Sequence, residues 1–426
     1  MTRLNLWVVI GIIFVLLTPA ALFAGGQQEE DAVDEVELAY NEDEGFTEFL
    51  EENLVDFPFA SLNPLSGTSE DQLDYYTIRY AAGDSQPALA EMDIVWPATF
   101  AGADWILPVD DYVPEEELDM HIDAYIDALT VEDQLVAFPT QADALVMYYR
   151  TDLLEEYGYD GPPETWDELI EMSTTIVDGE DDPDLSGLLF QGANIEGLLA
   201  NYLTILWGKG GDVVDQDGNV IINNETGVEA LELMVDLIYE HNVSPEGVTT
   251  QATDDTRVEY QDGRAVFSFL WMYAYELFDG EDSAIAGDFS IATPPSDPGH
   301  DPGVPLGGWH WAINRNAPSP EAAIEVAQHL SSFEVQKDRV MRLTEIPTRR
   351  DVYEDEEAQE ALPFLEELLP VIQEGRMRPL SPQYSEVSEA IRNELSNALA
   401  EIKEPQEALD DAAEALEDMT IFPPAQ

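Results

Sequence analysis

FPTQADALVMYYRTDLLEEYGYDGPPETWDELI, residues 138–170, is the stretch whose pattern decides the fold. Ala144 to Tyr149 is a short apolar run rich in β-formers, bounded by polar residues, and it predicts a buried strand. Thr151 then precedes a helical DLLEEY, which Gly158 is placed to stop. After Pro162 and Pro163, Thr165 can N-cap a helix on which Trp166, Leu169 and Ile170 share a face. Glu168, three residues on, completes a capping box. Strand, helix and helix in this order begin an alternating α/β architecture.

The alternation continues on both sides. Val36 to Ala39 reads as a first strand, and Gly45 to Leu54 carries helix-spaced Phe46, Phe49, Leu50 and Leu54. A helix through Leu73, Tyr76 and Tyr80 ends at Gly83, and Ala90 to Trp96 reads as a strand leading into a loop. Downstream, Ile195 to Trp207 is an apolar helix, Gly227 to Tyr239 an amphipathic one, and Gly263 to Phe269 a strand. Asp215–Asn219 is a turn rather than a calcium loop, because Val220 and Thr226 replace the glycine and glutamate such a loop needs. A single helical stretch is expected over 384–418. Largely parallel sheets are expected from the alternation.

The chain has 426 residues, enough for two lobes. Residues 1–24 form a separate unit: Arg3, an apolar run from Leu6 to Leu17, and a small residue at Ala24 suit an export signal, while the same run is long enough to serve as an uncleaved anchor. Residues 25–35 are a polar leader. There is no cysteine, which excludes thiolate lipid attachment, disulfides and thiolate metal sites. Ninety Asp and Glu against 16 Lys and Arg give a formal charge of −74. Such a surface repels itself at low salt and is relieved when ions screen it, so a halophilic source is expected. It also excludes nucleic acid as a partner, since phosphate binding needs clustered Lys and Arg. No nucleophile elbow, phosphate loop, zinc motif or histidine pair at metal-ligand spacing is present, so neither an enzyme nor a cofactor is expected.

Pro139–x–x–x–Asp143 before the strand, Tyr149-Arg150-x-Asp152-Leu-Leu after it, and Pro162-Pro163-x-Thr165-Trp166-Asp-Glu-Leu together resemble the extracellular solute-binding proteins of sugar ABC importers. Within that family the chain is most similar to trehalose, maltose and oligosaccharide binders, with Gly307-Gly308-Trp309 as a second matching motif. The resemblance implies a periplasmic-binding-protein-like α/β fold: two lobes joined by three crossings, with a ligand cleft between them. The expected lobes are 36–138 plus 304–345 and 139–303 plus 346–426. The Pro/Gly-rich stretch 294–305 and Ile346-Pro347-Thr348 are the expected crossings. The implied partners are a small carbohydrate and an inner-membrane permease pair with its cytoplasmic ATPase, and the expected protein is a periplasmic or extracytoplasmic monomer.

Sugar recognition needs aromatic faces for the C–H surfaces of a pyranose and planar polar groups for its hydroxyls. The resemblance places Trp271, Tyr273, Trp309, Trp311 and Trp96 as candidate faces. It places Asp93, Asp143, Gln141 and Glu44 as candidate hydroxyl partners, with Gly308 allowing close backbone approach. Arg378, one of few arginines, is the candidate multi-dentate donor. For each aromatic the competing expectation is core packing, and for Arg378 an ion pair with the abundant acids. His310 is expected to be structural. Another osmolyte, a glycerol-phosphate-like ligand, and a sensory rather than transport role remain open from sequence.

Overall fold

The computed structural model describes residues 34–42 and 45–423; the expected export signal at residues 1–24, most of the polar leader and Glu44 lie outside the described residues. In chain order the strands are β1 (Val36–Asn41), β2 (Ala60–Leu65), β3 (Leu89–Asp93), the hairpin β4 (Thr130–Val131) and β5 (Gln134–Leu135), β6 (Phe138–Pro139), β7 (Asp143–Arg150), β8 (Ser186–Leu189), β9 (Ala265–Trp271), β10 (Phe289–Ala292), β11 (Pro305–Gly307), β12 (Trp309–Ile313) and β13 (Arg376–Met377). They form two main sheets. The first runs β2-β1-β3-β12-β6; the second runs β13-β11-β7-β9-β8, with β10 also on β7.

The quoted stretch builds the entry to the second sheet as its pattern predicts. β7 is buried almost throughout, and its side chains alternate: Leu145 and Met147 join one apolar core, Ala144, Val146 and Tyr148 the other. A strand covered on both faces has no polar side to show, which is why this segment is continuously apolar. The helix Trp166–Glu180 begins with the expected capping box between Thr165 and Glu168, a device whose cap residue contributes about 1 kcal/mol. Trp166 packs edge-on to Phe269 of β9, with ring centroids 5.9 Å apart.

Three expectations need correction. The sheets are mixed, not largely parallel: β1 pairs parallel with β2 and β3, but β12 lies antiparallel between β3 and β6, and β7 is antiparallel to β9, β10 and β11. Strands that return from one sheet to the other enter from the opposite end, which pattern within a single segment does not reveal. The Pro/Gly-rich stretch 294–305 is not a crossing, because it joins β10 to β11, and both pair with β7. The chain changes sheets just beyond it, at Gly307–Trp309. The last helical stretch is two helices, Tyr384–Leu399 and Pro405–Leu416, because Glu401 takes φ 54° and Pro405 starts a new first turn.

Candidate functional site

Three chain segments lie side by side where the sheets meet. Thr140–Ala142 joins β6 to β7, Gly307–Trp309 joins β11 to β12, and Ile346-Pro347 runs along the first of these. Gln141 and Trp309 exchange backbone hydrogen bonds, each 3.2 Å, while Ala142 N–H donates to the Ile346 carbonyl at 2.9 Å. Gly308 makes this possible. Its φ is +140°, and a Cβ there would stand 2.2 Å from the Gln141 carbonyl oxygen, so only glycine fits. Tyr125, fully buried, pins the same junction by donating to the carbonyls of Asp143 and Gly307 at 3.2 and 3.0 Å.

Around this junction stand most of the residues singled out from sequence. Asp93 ends β3 and is the register partner of Trp309 on β12. Trp309 is partly exposed and meets Trp96 edge-on, with centroids 5.4 Å apart at 87°. Asp143 opens β7, and its Oδ1 accepts from the N–H groups of Ala144 (2.8 Å) and Met272 (2.9 Å). The second bond ties it to the end of β9, where Trp271 and Tyr273 sit half-buried. Trp271 lies against Gly307, where an added Cβ would come within 2.9 Å of its ring.

Arg378 is the electrostatic centre. Its side chain is 1% exposed; Nη2 donates to Asp93 Oδ1 at 2.6 Å and Nη1 to Glu196 Oε1 at 3.0 Å. The guanidinium carbon lies 5.5 Å from the Trp271 ring centroid, within cation–π range. Burial works against its charge, but the carboxylates of Asp93 and Glu196 and the Tyr384 phenol outweigh it and hold its pKa above the ordinary arginine value. Burial pushes Asp93 upward, partly offset by Arg378. Among the described residues no such cation is bonded to Asp143, and burial drives its carboxyl to about 8, against lowering by its two backbone N–H partners.

The structure gives two candidates packing roles. Trp311 is 1% exposed and belongs to the apolar core beside β3, and the Gln141 side-chain carbonyl accepts from Trp309 N–H at 3.0 Å. His310 is fully buried, receives Thr140 N–H at 3.3 Å, and is held neutral chiefly by burial. Sequence reasoning missed Glu196, Tyr384 and Ser388. Tyr384 and Ser388 both bond the Glu196 carboxylate, Ser388 Oγ at 2.6 Å. The available signal was a carboxylate heading an otherwise apolar helix, Glu196–Gly208.

Two α/β units joined by adjacent passes, with aromatic faces and hydroxyl-compatible polar groups at the junction, define a ligand-binding protein of the two-lobed class. The sequence profile of the bacterial extracellular solute-binding proteins matches residues 62–337, and the chain belongs to that family. A "Probable ABC transporter-binding protein" of Deinococcus radiodurans is 33% identical over 347 residues, covering 80% of this chain and 82% of the relative. An arabinooligosaccharide-binding protein of Halalkalibacterium halodurans is 23% identical over 353 residues, 79% of this chain and 77% of the relative. Among solved structures, maltose-bound T. maritima MalE3 superposes with a TM-score of 0.84 at 36% identity, covering 90% of this chain and 98% of that one.

Proposed function

We propose that this protein is the extracytoplasmic binding component of a carbohydrate ABC importer, and that it takes a neutral di- or oligosaccharide such as maltose or trehalose between its lobes. The observation that carries this reading is the grouping at one junction of the indoles Trp271 and Trp309, the carboxyls Asp93 and Asp143, and the Arg378 guanidinium. Flat faces beside planar polar groups match the alternating C–H and hydroxyl surfaces of a pyranose. The maltose held by the T. maritima relative supports the same ligand class.

The lobes are assigned as 36–138 with 308–345, and 139–307 with 346–426, and they turn about the three adjacent passes. Closing brings Asp93 and Trp309 from one side onto Trp271 and Asp143 from the other. The closed form is what an inner-membrane permease pair would engage, its ATPase supplying the energy; this chain binds and does not turn over its sugar. Export depends on residues 1–24, and the protein works as a monomer. A thermal-shift screen of neutral disaccharides, oligosaccharides, polyols and sugar phosphates at high salt tests the reading. Stabilisation by a neutral oligosaccharide, recovered unchanged by thin-layer chromatography, is expected. A shift only with polyols or phosphates, or cleavage of the sugar, contradicts it.

A further inference from the structure

We propose that Glu196 is a positioning residue of the cleft: it sets the Arg378 guanidinium, and through it the Trp271 face, without itself needing to touch the sugar. The proposal rests on the carbohydrate reading above, but part of its test does not.

Glu196 is the first residue of its helix, where the exposed N–H groups favour a carboxylate. Both its oxygens are held. Oε1 receives Arg378 Nη1 and the Tyr384 hydroxyl, and Oε2 receives Ser388 Oγ. Tyr384 and Ser388 are four residues apart on the helix Tyr384–Leu399 and so share one face; both are almost wholly buried. The carboxylate therefore has one available orientation, and Arg378 is fixed by it.

The consequence lies in how the guanidinium is divided. An arginine facing a single carboxylate turns to make the parallel two-bond fork, which occupies both carboxylate oxygens. Here Glu196 draws off Nη1, and the bonds that Asp93 receives from Arg378 Nη2 and Val95 N–H both fall on Oδ1. Arg378 Nε is buried and has no partner among the described residues. Glu196 thus keeps Asp93 from being enclosed by Arg378, and keeps the guanidinium over Trp271 at 5.5 Å. Without its charge, Arg378 turns fully onto Asp93, and a hydroxyl-binding carboxylate and a stacking face are both altered at once.

The test is a two-by-two set, Glu196→Gln and Arg378→Ala singly and together, titrated with maltose by calorimetry. Glu196→Gln is expected to weaken maltose binding about tenfold in the native background and less than twofold beside Arg378→Ala, as coupled neighbours behave. Equal losses in both backgrounds, or no loss in the native one, overturn the proposal. Ser388→Ala, which removes one bond to the carboxylate and conserves its charge, should give a smaller loss with the same dependence on Arg378. A second readout needs no ligand: the Trp271 emission, obtained as native minus Trp271→Phe, should shift in Glu196→Gln and not in Glu196→Gln/Arg378→Ala relative to Arg378→Ala. An unmoved Trp271 emission contradicts the proposal even if the native protein binds no maltose. Failure of the native protein to bind any neutral sugar counts against the carbohydrate reading alone.

Discussion

Replacing Asp143 by asparagine should flatten part of the pH dependence of stability. In the folded protein the Asp143 carboxyl is buried, with Glu345 and Asp93 nearby and no cation of the described residues bonded to it, and its pKa stands at about 8 against an ordinary 3.8. The folded state therefore holds this proton more tightly than the unfolded chain. The stabilisation is complete below the unfolded carboxyl's pKa and is lost as pH rises through about 8. Each pH unit inside that window costs at most about 1.4 kcal/mol, so pH 5 to 8 spans a ceiling of about 4 kcal/mol. Partial solvation of the carboxyl lowers this, and about 2 kcal/mol is the expected loss. Asparagine keeps the acceptor for Ala144 and Met272 N–H but carries no proton equilibrium. Urea melts of both proteins at pH 5, 6, 7 and 8, at one ionic strength, separate this contribution from the many acids they share. The wild type should lose stability relative to Asp143→Asn as pH rises. Parallel curves would refute the reasoning, because a carboxyl titrating near 4 in both states contributes nothing in this range.

Other substitutions report on other parts of the site. Trp309→Ala should weaken sugar binding by about 2 kcal/mol or more while the fold persists, measured by calorimetry beside circular dichroism; unchanged affinity removes Trp309 from the ligand. Gly308→Ala forces a methyl to 2.2 Å from the Gln141 carbonyl at φ +140° and should lower unfolding free energy by at least about 2 kcal/mol. A wild-type denaturant midpoint would show that the passes are not packed as described. With a formal charge of −74, the melting temperature should climb as salt is raised toward 1 M, where the screening length is about 3 Å. A salt-independent melt would mean that self-repulsion is not limiting.

What the sequence revealed was mostly local. The Thr165–Glu168 capping box, the buried β7 and the turn at Asp215 depend on residues within a few positions of one another, so spacing identifies them. The family motif likewise led to Asp93, Asp143, Trp271 and Trp309, and the scarcity of arginine to Arg378, which the fold gathers from distant parts of the chain. Strand direction was harder. Whether β12 runs parallel or antiparallel to β3 depends on where the chain re-enters the sheet, and Trp309 to Ile313 looks the same either way. Glu196 was hidden for a different reason. Among ninety acids a single glutamate carries no contrast, and its importance comes from Arg378, Tyr384 and Ser388, all more than 180 residues away.

The central claim is that a neutral sugar is bound between the lobes at the Trp271–Trp309–Arg378 junction. Calorimetric titration of the purified protein at high salt with maltose, trehalose and maltotriose tests it most directly. Saturable one-to-one binding of at least one of them is expected, with a negative heat-capacity change from burying the sugar against the indoles, and its loss when Trp271 and Trp309 are both replaced by alanine. Saturable binding that survives that double replacement, or no binding of any neutral oligosaccharide by the folded protein, would contradict it.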